Sequence, residues 1–354
     1  MKDHHGRVRI VESDAEWSRL TAPFLDLNYR QTSGYARASA EASGAACELC
    51  VVERGGEVIG AAAVRVKSVP VVGGGLAHVA GGPMVRREGA GDPTSAVSEV
   101  VAALEREFVG KRGCTLRVMA PLGSAEENER IGRALETRNY ERAEWPRPYR
   151  TIAVDTTLDE EALRASFSKN WRKKLRRGET RGLSVRRATD DEAMADVERL
   201  HHELIERKGF STAVDAGLLR EAQRRLPDEQ KMIAIVVEEG GEIAGMNLVS
   251  ALGDTLTGII GATTDRGAEL AGAWLLEWEA MRLARERGLV RYDMGGYDPV
   301  GNEGVANFKN GTRGEELVAA GPLEKRASGV RPGIARLGER IYRLARSSGK
   351  GAAL

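Results

Sequence analysis

Val51-Val52-Glu53-Arg54-Gly55-Gly56-Glu57-Val58-Ile59-Gly60 returns in the second half of the chain as Val236-Val237-Glu238-Glu239-Gly240-Gly241-Glu242-Ile243-Ala244-Gly245. Each copy is an apolar run, a Gly-Gly pair and a second apolar run, Ala61 to Val66 in one and Met246 to Leu252 in the other. Paired glycines admit the positive φ that a tight hairpin turn demands, so each copy predicts a β-hairpin. Helical periodicity follows in both halves. Val97 to Val109 stops at Gly110 to Gly113 and gives way to the apolar run Thr115 to Met119; Trp274 to Arg287 stops at Gly288 and gives way to Val290 to Met294. The order hairpin, strand, helix, strand thus occurs twice, and the chain reads as a duplication.

A length of 354 residues suits two domains of ordinary size. The two prolines of Trp145-Pro146-Arg147-Pro148-Tyr149 favour an extended connection, which puts the domains at residues 1–150 and 151–319. The expected class is α+β or α/β, each domain a mixed, mostly antiparallel sheet flanked by helices. Residues 325–354 read as a basic amphipathic helix through Ile334, Leu337, Ile341 and Leu344 with a loose Gly/Ala tail. Packing against a domain is its plainer role, and membrane or RNA contact the sharper one.

A chain with 42% hydrophobic and 30% charged residues can bury a core and does not have the composition of a disordered segment. Met1 to Arg7 offers no apolar leader, and no run of about 18 uncharged apolar residues occurs, so the reading is cytoplasmic with no membrane span. Cys47, Cys50 and Cys114 cannot build a disulfide framework, and with His78, His201 and His202 they lack the spacing of a zinc site. Neither a metal nor a cofactor is expected. No Gly-x-Ser-x-Gly elbow or Walker A loop supports a hydrolase or NTPase. The net charge of +1 means that any polyanion contact requires a local patch, and Lys169, Arg172, Lys173, Lys174, Arg176, Arg177 and Arg181 supply one.

The hairpin with Gly-Gly-Glu-Ile/Val-x-Gly before a longer strand resembles the GNAT superfamily. Further stretches narrow this: Ala273-Trp274-Leu275-Leu276-Glu277-Trp278-Glu279-Ala280, then Tyr292-Asp293-Met294-Gly295-Gly296, then Phe308-Lys309-Asn310-Gly311. Together with the basic run from Phe167 to Arg177 and the turn Arg207-Lys208-Gly209-Phe210, they resemble the FemABX family of non-ribosomal peptidyl and aminoacyl transferases. The resemblance covers residues 150–320 well and the first half by architecture. It implies two tandem GNAT-like domains, with residues 320–354 returning to complete the first. It also implies transfer of an amino acid from aminoacyl-tRNA to an amine, on a peptidoglycan precursor or, alternatively, on an antibiotic or other small-molecule scaffold.

Ester aminolysis needs an unprotonated amine, an orienting cleft and a group that steadies the oxyanion, but no metal and no enzyme nucleophile. Lys309 is singled out as the cation beside a glycine turn, where the resemblance places the family's functional lysine, and Phe308 as the neighbour whose carbonyl positions the amine. Asp293 and Asp298 flank Gly295, Gly296 and Tyr297 at the end of a strand, where a carboxylate could accept the amine's proton. Arg207 matches the family arginine that contacts an acceptor diphosphate, and a guanidinium fork suits that geometry. Arg172, Lys173 and Arg176 are the expected contacts to the RNA, with Ser166 as the cap of their helix.

Two departures bear on substrate. Gln31-Thr32-Ser33-Gly34-Tyr35-Ala36-Arg37 is followed by Ala38-Ser39-Ala40, without the lysine that the family carries there. For coenzyme A, Arg266-Gly267-Ala268-Glu269 has a repelling glutamate where the pyrophosphate turn needs glycine, whereas Arg86-Arg87-Glu88-Gly89-Ala90-Gly91 meets the spacing. An acyl-CoA-dependent N-acyltransferase and a non-catalytic module binding RNA or precursor therefore stay as alternatives, as does peripheral membrane contact.

Overall fold

The computed structural model describes residues 6–68, 74–89, 91–143, 146–209 and 214–327. The expected helix at 325–354 falls almost wholly outside the described residues. In chain order the elements are β1 (Arg7–Val11), α1 (Asp14–Thr21), α2 (Ser33–Ala42), β2 (Ala46–Arg54), β3 (Glu57–Ser68), β4 (Gly75–Ala80), α3 (Pro93–Leu104), β5 (Cys114–Met119), α4 (Ala125–Thr137) and β6 (Glu141–Arg142). There follow β7 (Arg150–Asp155), α5 (Glu160–Ser166), α6 (Lys169–Glu179), β8 (Ser184–Ala188), α7 (Asp191–Lys208), α8 (Ala216–Arg225), β9 (Ile233–Glu239) and β10 (Glu242–Leu252). The last are β11 (Thr255–Thr263), α9 (Asp265–Glu269), α10 (Gly272–Glu286), β12 (Arg291–Asp293), α11 (Glu303–Asn310), β13 (Glu315–Val318) and β14 (Leu323–Lys325).

The chain divides into two compact units, one of Met1–Pro148 with the segment from Val318 onward, the other of Tyr149–Leu317. Each holds a mixed seven-stranded sheet flanked by helices: β1-β2-β3-β4-β5-β14-β6 in the first and β13-β7-β12-β11-β10-β9-β8 in the second. This is the fold class expected. In the first unit α3 and α4 cover an apolar face that includes Val64, Val79, Leu116 and Val118. The second buries Ile235, Val237, Leu256 and Tyr292 beneath Leu276, Trp278 and Met281 of α10.

The repeat extends to backbone detail. In β2/β3 the register runs Val52↔Gly60, then slips to Glu53↔Val58; in β10/β9 it runs Gly245↔Val237, then slips to Ile243↔Glu238. Gly55 and Gly56 turn at φ 62° and 90°, Gly240 and Gly241 at φ 61° and 92°. The glycine that closes each motif has a second use. A Cβ on Gly60 would lie 2.5 Å from Val100 on α3, and one on Gly245 would lie 3.1 Å from Leu276 on α10, so in both units the helix seats directly on the hairpin.

Candidate active site

The two sheets differ at one joint. In the first unit β4 and β5 run parallel over six paired residues, Gly75↔Cys114 to Ala80↔Met119, and both Gly81 and Gly82 then donate to the Met119 carbonyl. In the second unit β11 and β12 pair over only Thr255↔Arg291, Leu256↔Tyr292 and Thr257↔Asp293. Beyond that point β11 continues to Thr263, while the other chain turns to β7, Met294 donating to Ile152 and Tyr297 to Arg150. The sheet forks there, with its apex at Gly258 and Gly295. A Cβ on Gly295, which has φ 81°, would stand 2.7 Å from the Gly258 carbonyl oxygen.

Lys309 comes from α11 to this apex. Its ammonium is buried and donates to the carbonyls of Met294 (2.7 Å), Gly295 (2.7 Å) and Gly296 (3.1 Å). All three N–H bonds thus hold the loop that leaves β12, and the longest goes to the exposed residue Gly296. Burial pushes the lysine's pKa down, and Glu277 and Asp293 oppose that shift. Phe308 lies edge-on to Trp274 at 5.1 Å and packs at the rim of the second core.

Asp293 faces the other side of the loop. It is buried and accepts from Tyr149 Oη (2.9 and 3.0 Å), Thr151 Oγ1 (2.5 Å) and the amide of Gly295 (2.9 Å). Three donor groups engage this carboxylate, Tyr149 sharing its single proton between the two oxygens, and the bond from Gly295 ties it to the loop. Asp298 accepts from the amides of Val300 and Gly301, and closes a turn. Tyr297 donates to Glu316 (2.6 Å), and desolvation raises its pKa to about 12.

Sequence reasoning places Glu277 only as one residue of a helix. It projects from α10 toward the fork, where its Oε2 accepts from Tyr292 Oη at 2.6 Å, and that hydroxyl accepts from Asn247 Nδ2 at 3.1 Å. Desolvation raises its carboxyl to about 7, against the lowering effects of the Tyr292 bond and the Lys309 charge. The signal that could have found it is a lone carboxylate inside Trp274-Leu275-Leu276-Glu277-Trp278, where an apolar helix face is interrupted without a neighbouring cation.

The basic helix α6 begins against the end of α11. Its cap is Ser168, which accepts from Trp171 N, and not Ser166, whose hydroxyl donates to the Leu163 carbonyl at the end of α5. The difference arises because buried Phe167 in extended conformation separates the two helices. Ser168 N donates to the Gly311 carbonyl, and a Cβ on Gly311 would stand 2.7 Å from Trp171, so α6 rests on the turn that ends the lysine helix. Trp171, Leu175 and Gly178 form its buried side. Lys169, Arg172, Lys173, Arg176, Arg177 and Arg181 are exposed. Among the described residues Lys169, Lys173, Arg176, Arg177 and Arg181 have no carboxylate partner, whereas Arg172 bonds the carbonyls of Ala165 and Phe167. Arg207 is placed at the far end of β11, its guanidinium on the Thr263 carbonyl (2.7 Å) and Asp265 (2.8 Å). Phe210 of its motif lies outside the described residues.

The coenzyme A spacing in the first half precedes α3, whose N-cap is Asp92; its carboxylate accepts from Ser95 N and brings negative charge where a pyrophosphate would sit. In the second half Arg266 is held by Glu239 and Glu269.

Similarity to known proteins agrees with this geometry. A family described as "Acetyltransferase (GNAT) domain" matches residues 165–310. No curated protein matches the sequence at a significant level. Among solved structures, a crystal structure of FemX superposes with a TM-score of 0.75 at 16% identity, covering 94% of this chain and 99% of that one. The C-terminal domain of a putative lysylphosphatidylglycerol synthetase from Agrobacterium fabrum superposes with a TM-score of 0.52 at 13% identity, covering 93% and 97%. A protein of unknown function from Bacteroides thetaiotaomicron gives 0.54 at 10% identity, covering 88% and 99%. These likenesses support an acyltransferase of the GNAT-like kind, and no helix of the described residues is long and apolar enough to cross a membrane. The chain has the FemABX-like tandem GNAT fold.

Proposed function

We propose that the second unit transfers an aminoacyl group from aminoacyl-tRNA to an amine, with a peptidoglycan stem peptide as the leading acceptor and a small-molecule scaffold as the alternative. The observation that carries this reading is the contact of α6 with the lysine helix: exposed cations without carboxylate partners lie on a helix whose cap, Ser168, is bonded to Gly311, two residues beyond Lys309. Elsewhere arginines are extensively paired, as Arg220 and Arg224 are with Asp191. A patch left unneutralised meets a polyanion through phosphate contacts and counterion release. The capped start of α3 and the paired Arg266 make coenzyme A the less suited donor.

In this reading the ester carbonyl lies in the fork. Lys309 gives up its longest bond, to Gly296, and donates that proton toward the oxyanion while still gripping Met294 and Gly295. The Phe308 carbonyl orients the attacking amine. Asp293 and Asp298 shape the glycine loop, with Gly295, Gly296 and Tyr297 as its contact surface. Lys173 and Arg176 hold RNA phosphates, Arg172 fixes the start of α6, and Arg207 meets an acidic group of the acceptor by releasing Asp265. The reaction occurs in the cytoplasm without a cofactor.

The test supplies the purified chain with labelled aminoacyl-tRNA or labelled acetyl-CoA, each with a stem-peptide amine. Label should move from tRNA alone. Transfer only from coenzyme A would replace this donor, and binding of both substrates without transfer would favour the non-catalytic module.

A further inference from the structure

Glu277 stands apart from the groups already assigned. One of its oxygens is held by Tyr292 and, through it, by Asn247; Glu277 Oε1 has no partner among the described residues and is not enclosed. Tyr292 also leads to the lysine. Its hydroxyl lies 3.1 Å from where a Cβ on Gly258 would be, Gly258 abuts Gly295, and Gly295 is one of the carbonyls that Lys309 holds. A carboxylate with one oxygen fixed and the other open thus stands at the fork apex on the α10 side, while Asp293, on the β7 side, has its oxygens occupied.

We infer that Glu277 is a catalytic residue, the base that takes the proton from the acceptor's ammonium through Oε1 in the β11–β12 fork. The inference rests on the acyl-transfer reading above. The ammonium gives one proton to the carboxylate, and the freed nitrogen lone pair forms the C–N bond. The tetrahedral intermediate then collapses with cleavage of the C–O bond, the leaving ribose oxygen takes the nitrogen's second proton, and Glu277 returns the first to solvent. Charges and protons balance without any other reactant. The groups that face Glu277 suit a base working near neutrality. Tyr292 from β12 stays a neutral donor, since burial beside this carboxylate lifts its pKa well above the usual phenol range. Asn247 from β10 is uncharged, Lys309 from α11 is cationic, and Lys174 from α6 is turned to the Trp274 ring at 5.4 Å. A carboxyl raised to about 7 is matched to an amine's proton better than an ordinary glutamate.

The test compares wild type, Glu277→Gln and Glu277→Asp with a lysine side-chain amine and with hydroxylamine, which is already unprotonated at neutral pH. With the lysine amine, Glu277→Gln should lose on the order of a hundredfold or more in rate. It should also lose the rise of the pH–rate profile through about 7. With hydroxylamine it should stay within a few-fold of wild type, and Glu277→Asp should keep the pH-dependent limb at lower rate. An unchanged profile with the lysine amine, or an equal loss with both acceptors, overturns the base. If wild type transfers to neither acceptor from any acyl donor, the acyl-transfer reading fails and takes this role with it. Carboxyl titration of ¹³C-labelled glutamate checks the inference without activity, and an ordinary glutamate value at Glu277 would overturn it.

Discussion

The two units share a hairpin down to its bulge, yet the strands that follow are zipped in one and forked in the other. Six paired residues join β4 to β5, and three join β11 to β12. Gln31 helps close the first unit, since its side chain donates to the Ala80 carbonyl and accepts from Ala63 N. At the joint of the second unit Gly258 meets Gly295, whose carbonyl the buried Lys309 holds. The two copies thus share what seats the helix on the hairpin and differ at the joint between the parallel strands, and the proposed function rests on the forked one.

That contrast can be broken first at Lys309. Lys309→Ala should abolish most transfer, by on the order of a hundredfold or more. It should also destabilise the second unit, because the Met294 carbonyl of a buried residue loses the lysine donor at about 1–3 kcal/mol, whereas the Gly295 carbonyl keeps Thr151 within reach. Initial rates and urea midpoints check both parts. Unchanged turnover in a folded variant would remove the site from the fork.

Charge reversal at Lys173, Arg176 and Arg177 comes next. It should weaken use of aminoacyl-tRNA by about tenfold or more and flatten the salt dependence by roughly one unit of slope for each phosphate no longer engaged. The effect on stability should be within about 0.5 kcal/mol, since these side chains are exposed. A donor KM insensitive to both charge and salt would deny the helix its RNA.

The paired glycines sharpen the comparison. Gly60→Val and Gly245→Val should each overpack a helix and cost about 1–3 kcal/mol. Only the second should lower transfer, by tilting α10 and Glu277 with it. Equal effects on activity would mean that the first unit's sheet takes part in chemistry.

The smallest effect concerns pH and stability. The Glu277 carboxyl lies at about 7 in the folded chain and lower when unfolded, so the native state binds more protons between those values. Its contribution should therefore favour folding at low pH and be lost as pH rises through about 7. Glu277→Gln should show a smaller fall in urea midpoint from pH 5 to pH 8 than wild type, and an identical fall would place the carboxyl in ordinary solvent.

Much of this architecture could be read from residues. The Gly-Gly pairs and flanking apolar runs specify the hairpins locally, and Gly288 and the Gly110–Gly113 stretch mark where helices give way to strands. The length of a parallel ladder is another matter, because Gly258 and Gly295 meet through tertiary contacts between segments distant in sequence. Asp293 looks like a free carboxylate until Tyr149 and Thr151 arrive from a strand more than a hundred residues away. Lysine patterns read as solvated, so the burial of Lys309 among carbonyls has no local signature. Glu277 was hidden for the opposite reason, since one charged residue on a helix is ordinary until Tyr292 and Asn247 reach it from other strands.

Hydrogen–deuterium exchange with a non-hydrolysable aminoacyl-tRNA mimic would show directly which copy carries the site. Protection should appear along residues 169–181, 258–263 and 294–298, with the equivalent joint at residues 79–84 and 118–122 unchanged. Protection confined to the first unit's joint, or produced by coenzyme A and not by the tRNA mimic, would contradict the account.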